Sequence, residues 1–183
     1  KDIFVGHNAG LFWFAQLFGM IIPIVLLLFK QMRKPLPMLI LAILIFDFAI
    51  WAQHVIFHKV PPLWRLHAMH HVDRDLDATS GVRFHPVEIL LSMLLKLGLV
   101  LVIGPAAVAV MLFEVILNAS AIFNHANLRL PRTVDAVLRT VIVTPDMHRI
   151  HHSPNVIETD SNYGKPLNVE FFLRKIILYI HYF

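Results

Sequence analysis

VEILLSMLLKLGLVLVIGPAAVAVMLFEVILNASAIFN, residues 87–124, consists of two apolar arms, 87–103 and 105–124, that meet at Gly104 and Pro105. A Gly-Pro step between two apolar runs reads as a helical hairpin, and each arm is close to the roughly 20 residues a membrane crossing needs. Whether the arms cross fully or only dip into a bilayer, an even number of passes returns the chain to the side it left. The polar stretches on either side of the hairpin, 58–86 and 125–168, are therefore expected to face the same compartment.

Working outward, residues 36–57 form another apolar run, entered through Pro35 and Pro37 and stopped by Pro61 and Pro62. Residues 10–29 form a further run of spanning length, ended by Lys30, Arg33 and Lys34. Residues 133–143 read as a short amphipathic helix at the interface. With 57% apolar and 15% charged residues and a mean hydropathy of +0.68, the composition is that of an integral membrane protein. The fold expected is all-α, with about four membrane-embedded helices including the hairpin, and the 183 residues are read as a single domain. The chain begins at Lys1 rather than Met, so an incomplete N-terminus is expected. Basic residues are dispersed beside apolar spans, and the net charge of +4 suits anionic lipid headgroups; nucleic-acid binding is not expected.

Histidines gather where these runs end: His54 with His58, His67 with His70 and His71, and His148 with His151 and His152. Offsets of three and four share a helix face, so each group is expected to present one ligand-bearing stripe. Asp47 and Trp51 extend the first stripe. The sequence has no cysteine, which excludes disulfides and iron–sulfur ligation within it. Imidazole suits iron, zinc, copper and nickel, and eight imidazoles are too many for one ion and about right for two.

The surrounding residues narrow the chemistry. A zinc protease helix places a glutamate general base directly after its first histidine; here His54 is followed by Val55, and the residues up to His58 are apolar. No Ser/His/Asp set, Cys/His set or phosphate-cradling glycine loop is present. Redox metals at a lipid–water boundary point to oxygen activation, because an alkyl C–H bond resists acid, base and nucleophile alike. A membrane metal carrier or sensor also needs many histidines, but its ligands are expected within the spans.

Asp47-Phe, His54-Val-Ile-Phe-His58, Pro61-Pro-Leu-Trp-Arg-Leu-His-Ala-Met-His-His71 and Arg83-Phe-His-Pro-Val-Glu88 together resemble the fatty acid hydroxylase superfamily, often called the sterol desaturase family. Asn124-His-Ala-Asn127, Asp146-Met-His-Arg-Ile-His-His152 and Asn162-Tyr-Gly164 follow in the matching order, so the resemblance covers about residues 40–165. It implies a helical cap carrying a histidine-bound dimetal site, with two iron ions in the oxidising members and zinc in a non-oxidative alternative. It also implies His54, His58, His67, His70, His71, His148, His151 and His152 as ligands, with His125 as a ninth. The expected reaction is hydroxylation or desaturation of a lipid with O2 and electrons from an external cytochrome- or ferredoxin-type donor and its reductase. A bacterial inner membrane or endoplasmic reticulum is the expected location. The charge pattern places the site on the cytosolic side.

Other polar residues are expected in structural roles. Lys96 and Glu114 lie about nine residues either side of the hairpin turn and can pair across it. Asp73, Asp75 and Asp77 read as a solvated edge, and Trp51 and Trp64 as interfacial anchors. Asp47 is a candidate support for a ligand, and His85 a structural or lipid-facing residue; His7 and His181 read as ordinary interfacial residues. After Gly164 the family pattern usually runs into an aromatic, Asp-containing segment. Here it runs Lys165-Pro-Leu-Asn-Val-Glu170, which reads as an altered C-terminal segment.

Overall fold

The computed structural model describes residues 36–73, 75–164, 166–171 and 173. The expected span at 10–29, His7 and His181 lie outside them. Among the described residues the protein is helical, with no strand and a single isolated bridge between Ile142 and Leu167. Among the described residues three helices are long and apolar enough to cross a membrane: α1 (Leu36–Lys59), α3 (Pro86–Ile103) and α4 (Ala107–His125). The shorter helices are α2 (Pro61–His67), α5 (Arg132–Leu138), α6 (Pro145–His151) and α7 (Val156–Thr159), with single 3-10 turns at His70–Val72 and Ser80–Val82.

The hairpin forms as its punctuation dictates. Gly104 closes α3 in the left-handed region (φ 57°), donating its N–H to Val100, a conformation glycine adopts without a Cβ penalty. Pro105 then prevents the helix from continuing. The three long helices meet through Phe46, Ile50, Val100, Val110 and Phe113. Phe46 and Phe113 pack with ring centroids 5.3 Å apart, a contact worth about 0.5–1.5 kcal/mol beyond area burial. Their outward faces are apolar as well: Leu44 and Phe48 on α1, Leu94 and Leu101 on α3, Val115 and Ile116 on α4 are all exposed. A helix apolar on every side needs an apolar surround, which here is lipid.

Two polar contacts cross this apolar bundle. Ser92 on α3 donates to Gln53 on α1 at 3.1 Å, and Lys96 Nζ lies 2.6 Å from Glu114 Oε1, as the hairpin geometry anticipates, with both side chains buried. Residues 58–86 leave the C-terminal end of α1 and re-enter at the N-terminal end of α3, so that end of the bundle is also where α4 finishes at His125. One end of the three described spans thus carries α2, α5, α6 and α7. The interfacial helix expected over 133–143 is shorter, Arg132–Leu138, and shows exposed Val134 and Val137 outward.

Candidate metal centre

All nine histidines converge at that end, in two groups. His54, His58, His67, His71 and His151 form one, and His70, His125, His148 and His152 the other; within each, the ligand-capable nitrogens lie within 4.8 Å of one another. Each His-x-x-His-His motif is divided between them. The i, i+4 pairs stay together, His67 with His71 and His148 with His152, as His54 stays with His58, while His70 and His151 each join the opposite group.

This corrects the single-stripe reading. α2 ends at His67, and His70–Val72 form a 3-10 turn rather than continuing the helix. A 3-10 turn advances about 120° per residue instead of 100°, which separates His70 from His71. In the third motif His152 already lies beyond the last residue of α6 as its C-cap. Each motif therefore spans both groups rather than forming a face of one.

The orientation of the rings is set from behind. His54 Nδ1 donates to the Tyr163 carbonyl, His151 Nδ1 to the Ser161 carbonyl and His125 Nδ1 to the Ala121 carbonyl, each at 2.7 Å, and His70 Nδ1 to the Arg83 carbonyl at 3.1 Å. His67 Nδ1 lies 2.7 Å from Glu88 Oε1. A carbonyl oxygen only accepts, so each of these rings carries its proton on Nδ1 and turns an Nε2 lone pair inward.

Those inward nitrogens meet at close range. His54 Nε2 is 2.9 Å from His67 Nε2 and 3.1 Å from His151 Nε2, and His125 Nε2 is 3.1 Å from His70 Nε2 and 3.0 Å from His148 Nε2. Facing lone pairs at this distance repel unless a positive charge lies between them. With metal–nitrogen bonds of about 2.1 Å, neighbouring ligands are about 3.0 Å apart in an octahedral arrangement and about 3.4 Å in a tetrahedral one. The donor set, its protonation and its spacing fit a cation in each group. Burial, followed by the nearby imidazoles of His151, His152, His67 and His58, pushes His71 far below the ordinary histidine range. It too is neutral and offers a lone pair.

Several residues at the centre were not expected from sequence as site residues. Glu88, in the first turn of α3, holds the His67 ring by its side-chain carboxylate. Phe84 stacks on His70 with centroids 4.2 Å apart. Trp64, expected as an interfacial anchor, lies against His58 and His71 with centroids at 4.9 and 5.3 Å. The signal for Glu88 and Phe84 was their place in the Arg83–Glu88 segment, and for Trp64 its place in the Pro61–His71 segment. Replacing Glu88 by Gln is expected to reduce metal affinity or activity roughly 10–100-fold, the usual cost of losing an outer partner of a metal-bound histidine. An unchanged metal-binding isotherm for Glu88→Gln contradicts that role.

Asp47 does not support a histidine. It is buried and accepts a backbone hydrogen bond from Leu167, so it ties the segment after Tyr163 to α1. Asp73 is not a solvated edge either: it pairs with Arg83 and accepts from Ser80, closing the loop that leads to α3. Asp77 accepts from the Thr79 N–H and hydroxyl, bonds that hold its carboxyl below the usual range. His85 caps α3 by accepting from the Val87 N–H.

The segment after Gly164 is built into the site rather than trailing from it. Glu170 accepts from the N–H groups of Asn162 and Tyr163 at 2.8 and 2.6 Å, fixing the turn whose Tyr163 carbonyl orients His54. Asn162 adopts positive φ (54°) there, a conformation asparagine tolerates better than most residues. Trp51 donates to the same Glu170 carboxylate at 3.5 Å. Asp160 accepts from Lys59 and Tyr163 at 2.6 and 2.8 Å and lies 3.6 Å from His58 Nδ1. Burial alone raises its pKa, but these bonds outweigh it and hold the carboxyl below the usual range. Burial and the bond to Asp160 push the Tyr163 phenol up, so it stays a donor.

Gly81 is where the connecting loop touches α4. A Cβ there would lie 2.7 Å from the Ala121 carbonyl oxygen and 3.1 Å from His125 Nδ1, the two partners of the bond that orients His125. Gly81→Ala is expected to destabilise the protein by about 1–3 kcal/mol, as overpacking does, and to weaken metal retention in the second group. Wild-type melting and metal content for this variant contradict the close approach.

The chain is 28% identical over 128 residues to the ornithine lipid hydroxylase OlsE of Rhizobium tropici, covering 70% of this chain and 38% of that protein. It is 28% identical over 123 residues to the alkylglycerol monooxygenase of Homo sapiens, 64% of this chain and 25% of the relative. To the Xenopus tropicalis alkylglycerol monooxygenase it is 26% identical over 126 residues, 66% and 26%. The chain thus spans well under half the length of these relatives. No solved structure matches it. The family model for fatty acid hydroxylase matches residues 39–170, most of the chain and every histidine of both groups, and the chain belongs to that family.

Proposed function

We propose that this chain is the membrane-embedded core of a lipid hydroxylase that holds two iron ions and oxidises a C–H bond with O2. The observation that carries this reading is the pair of buried imidazole groups whose inward lone pairs need a cation between them. His54, His58, His67, His71 and His151 would hold one ion, and His70, His125, His148 and His152 the other. Spacings of 2.9–3.2 Å and a five-imidazole group suit a five- or six-coordinate ion better than zinc, which is usually four-coordinate. That favours iron.

When bound, the ions supply the redox chemistry that an alkyl C–H bond requires. The overall balance is one C–H and O2, with two electrons and two protons, giving C–OH and water. The electrons are assigned to a cytochrome- or ferredoxin-type donor with its reductase. The protein's part is to hold His54, His67, His70, His125 and His151 with Nδ1 protonated and bring the lipid to them. The names of the relatives favour hydroxylation over desaturation. The histidine-bearing side also carries Lys59, Arg65, Arg83, Arg129, Arg132, Arg139 and Arg149, which supports a cytosolic site under the positive-inside rule.

The test is anaerobic loading of the purified protein with iron, then addition of O2, reductant and extracted membrane lipid, with mass spectrometry before and after. A product heavier by one oxygen atom, dependent on iron, is expected. Fully loaded protein that oxidises no lipid in the presence of a competent donor overturns the reading.

A further inference from the structure

The two histidine groups differ in the aromatic rings packed against them. His70 of the second group carries Phe84, and a phenyl ring is hard to oxidise. The first group carries a phenol. The buried Tyr163 ring stands edge-on to three of its five imidazoles, with centroids 5.0 Å from His58, 5.5 Å from His151 and 5.7 Å from His54. The Tyr163 hydroxyl donates to Asp160 Oδ1 at 2.8 Å, and the other oxygen of that carboxylate accepts from Lys59 Nζ at 2.6 Å. Lys59 is exposed, and Asp160 also borders a cavity of about 860 Å³ at the polar end of the spans. An oxidisable ring, a base for its proton and an exit to water thus follow one another outward from the first group.

We infer that Tyr163 is an electron donor to the first histidine group: when the metals are oxidised with no lipid C–H bond in reach, its ring gives up one electron and its hydroxyl proton passes to Asp160. The inference rests on the redox-metal reading above and gives the site a second capability, protection of its own ligands. In this step the phenol O–H bond breaks, an O–H bond forms on Asp160, the metal group gains the electron and a neutral phenoxyl radical remains. One electron from the external donor then restores the phenol, with the proton returning from Asp160. A phenol that has lost an electron is a strong acid, so electron and proton leave together. The bond to Asp160 lets them do so without leaving a positive charge on a buried ring, which would be costly. Without this outlet the oxidisable groups nearest the metals are the imidazoles themselves. Trp64 touches His58 and His71 as well; the carboxylate waiting at the hydroxyl is what favours Tyr163.

The experiment reads electron paramagnetic resonance, not turnover. Iron-loaded protein is mixed with O2 and reductant in the absence of lipid and freeze-quenched; a parallel zinc-loaded sample is oxidised by photo-excited ruthenium tris-bipyridine with persulfate. Both are expected to give a tyrosyl signal whose hyperfine lines narrow with ring-deuterated tyrosine. Per bound metal, the signal should vanish in Tyr163→Phe, which keeps the main-chain carbonyl behind His54, and fall at least fivefold in Asp160→Asn. After repeated lipid-free cycles of the iron sample, peptide mass spectrometry should show several-fold more oxygen addition at His54, His58 or His151 in Tyr163→Phe than in the parent. A tryptophan signal in place of the tyrosyl one, a tyrosyl signal that persists in Tyr163→Phe and so belongs to Tyr179 or Tyr182, or one indifferent to Asp160→Asn overturns the inference. O2 uptake by the iron sample with no radical keeps the hydroxylase reading and sinks the outlet. A tyrosyl signal from Tyr163 in the zinc sample, with no O2 uptake by the iron sample, sinks the iron reading and leaves Tyr163 as the oxidisable ring of the centre.

Discussion

Replacing His70 by alanine is expected to abolish lipid oxidation while emptying only one of the two imidazole groups. His70 sits beside His71 in the chain, yet with the ligands proposed here the two serve different ions. His70→Ala should therefore lower bound iron from two equivalents to one, and His71→Ala should do the same through the other group. Activity should fall well beyond the roughly 10–100-fold that an outer partner costs. In the double variant His67→Ala/His70→Ala both ions go, but the activity is no lower than in either single variant, because residues acting as a unit are not additive. Metal analysis beside turnover checks all of this. If His70→Ala and His71→Ala deplete the same spectroscopic iron site, the division of the motif is wrong.

The second large effect is on stability and lies away from the metal centre. Lys96 and Glu114 pair at 2.6 Å between α3 and α4, both buried within the spans. Lys96→Met leaves a buried carboxylate without its partner, which typically costs about 3–5 kcal/mol. Replacing both, as Lys96→Met/Glu114→Met, removes the penalty together with the pair and is expected to be neutral or stabilising. Thermal unfolding in detergent distinguishes these outcomes. A single variant as stable as the parent shows that water or lipid headgroups reach the pair and that the hairpin arms are not sealed there.

The spans and the hairpin were legible because their signals are local. An apolar run of given length, interrupted by Gly104 and Pro105, reads the same way whatever it packs against. The histidines were legible as a group because three clusters lie at the ends of such runs, and parity across the hairpin brings the third to the first two. The division of each motif was not, because it depends on where α2 stops. Ala68 and Met69 carry no helix-breaking signal, yet the helix gives way to a 3-10 turn after them. The roles of Trp64, Phe84 and Glu170 were hidden for another reason: each acts on a partner in a different segment of the fold, which only tertiary packing supplies. Asp47 shows the opposite failure, since an ionisable residue in an apolar span suggested work at the metals and instead anchors a loop.

The supports behind the rings differ in what mutation can do to them. Four of the five Nδ1 atoms described donate to main-chain carbonyls, those of Tyr163, Ser161, Ala121 and Arg83. A carbonyl survives any substitution of its own side chain, so this part of the centre's architecture is written in the path of the backbone and leaves no residue-specific trace. Glu88, behind His67, spells its support in a side chain. Substitution at the other four positions leaves the carbonyl in place as long as the loops keep their course, which at Arg83 and Tyr163 also depends on side chains that bond Asp73 and Asp160. A designer grafting this centre onto another scaffold would therefore have to copy the loop conformations and not merely the nine histidines.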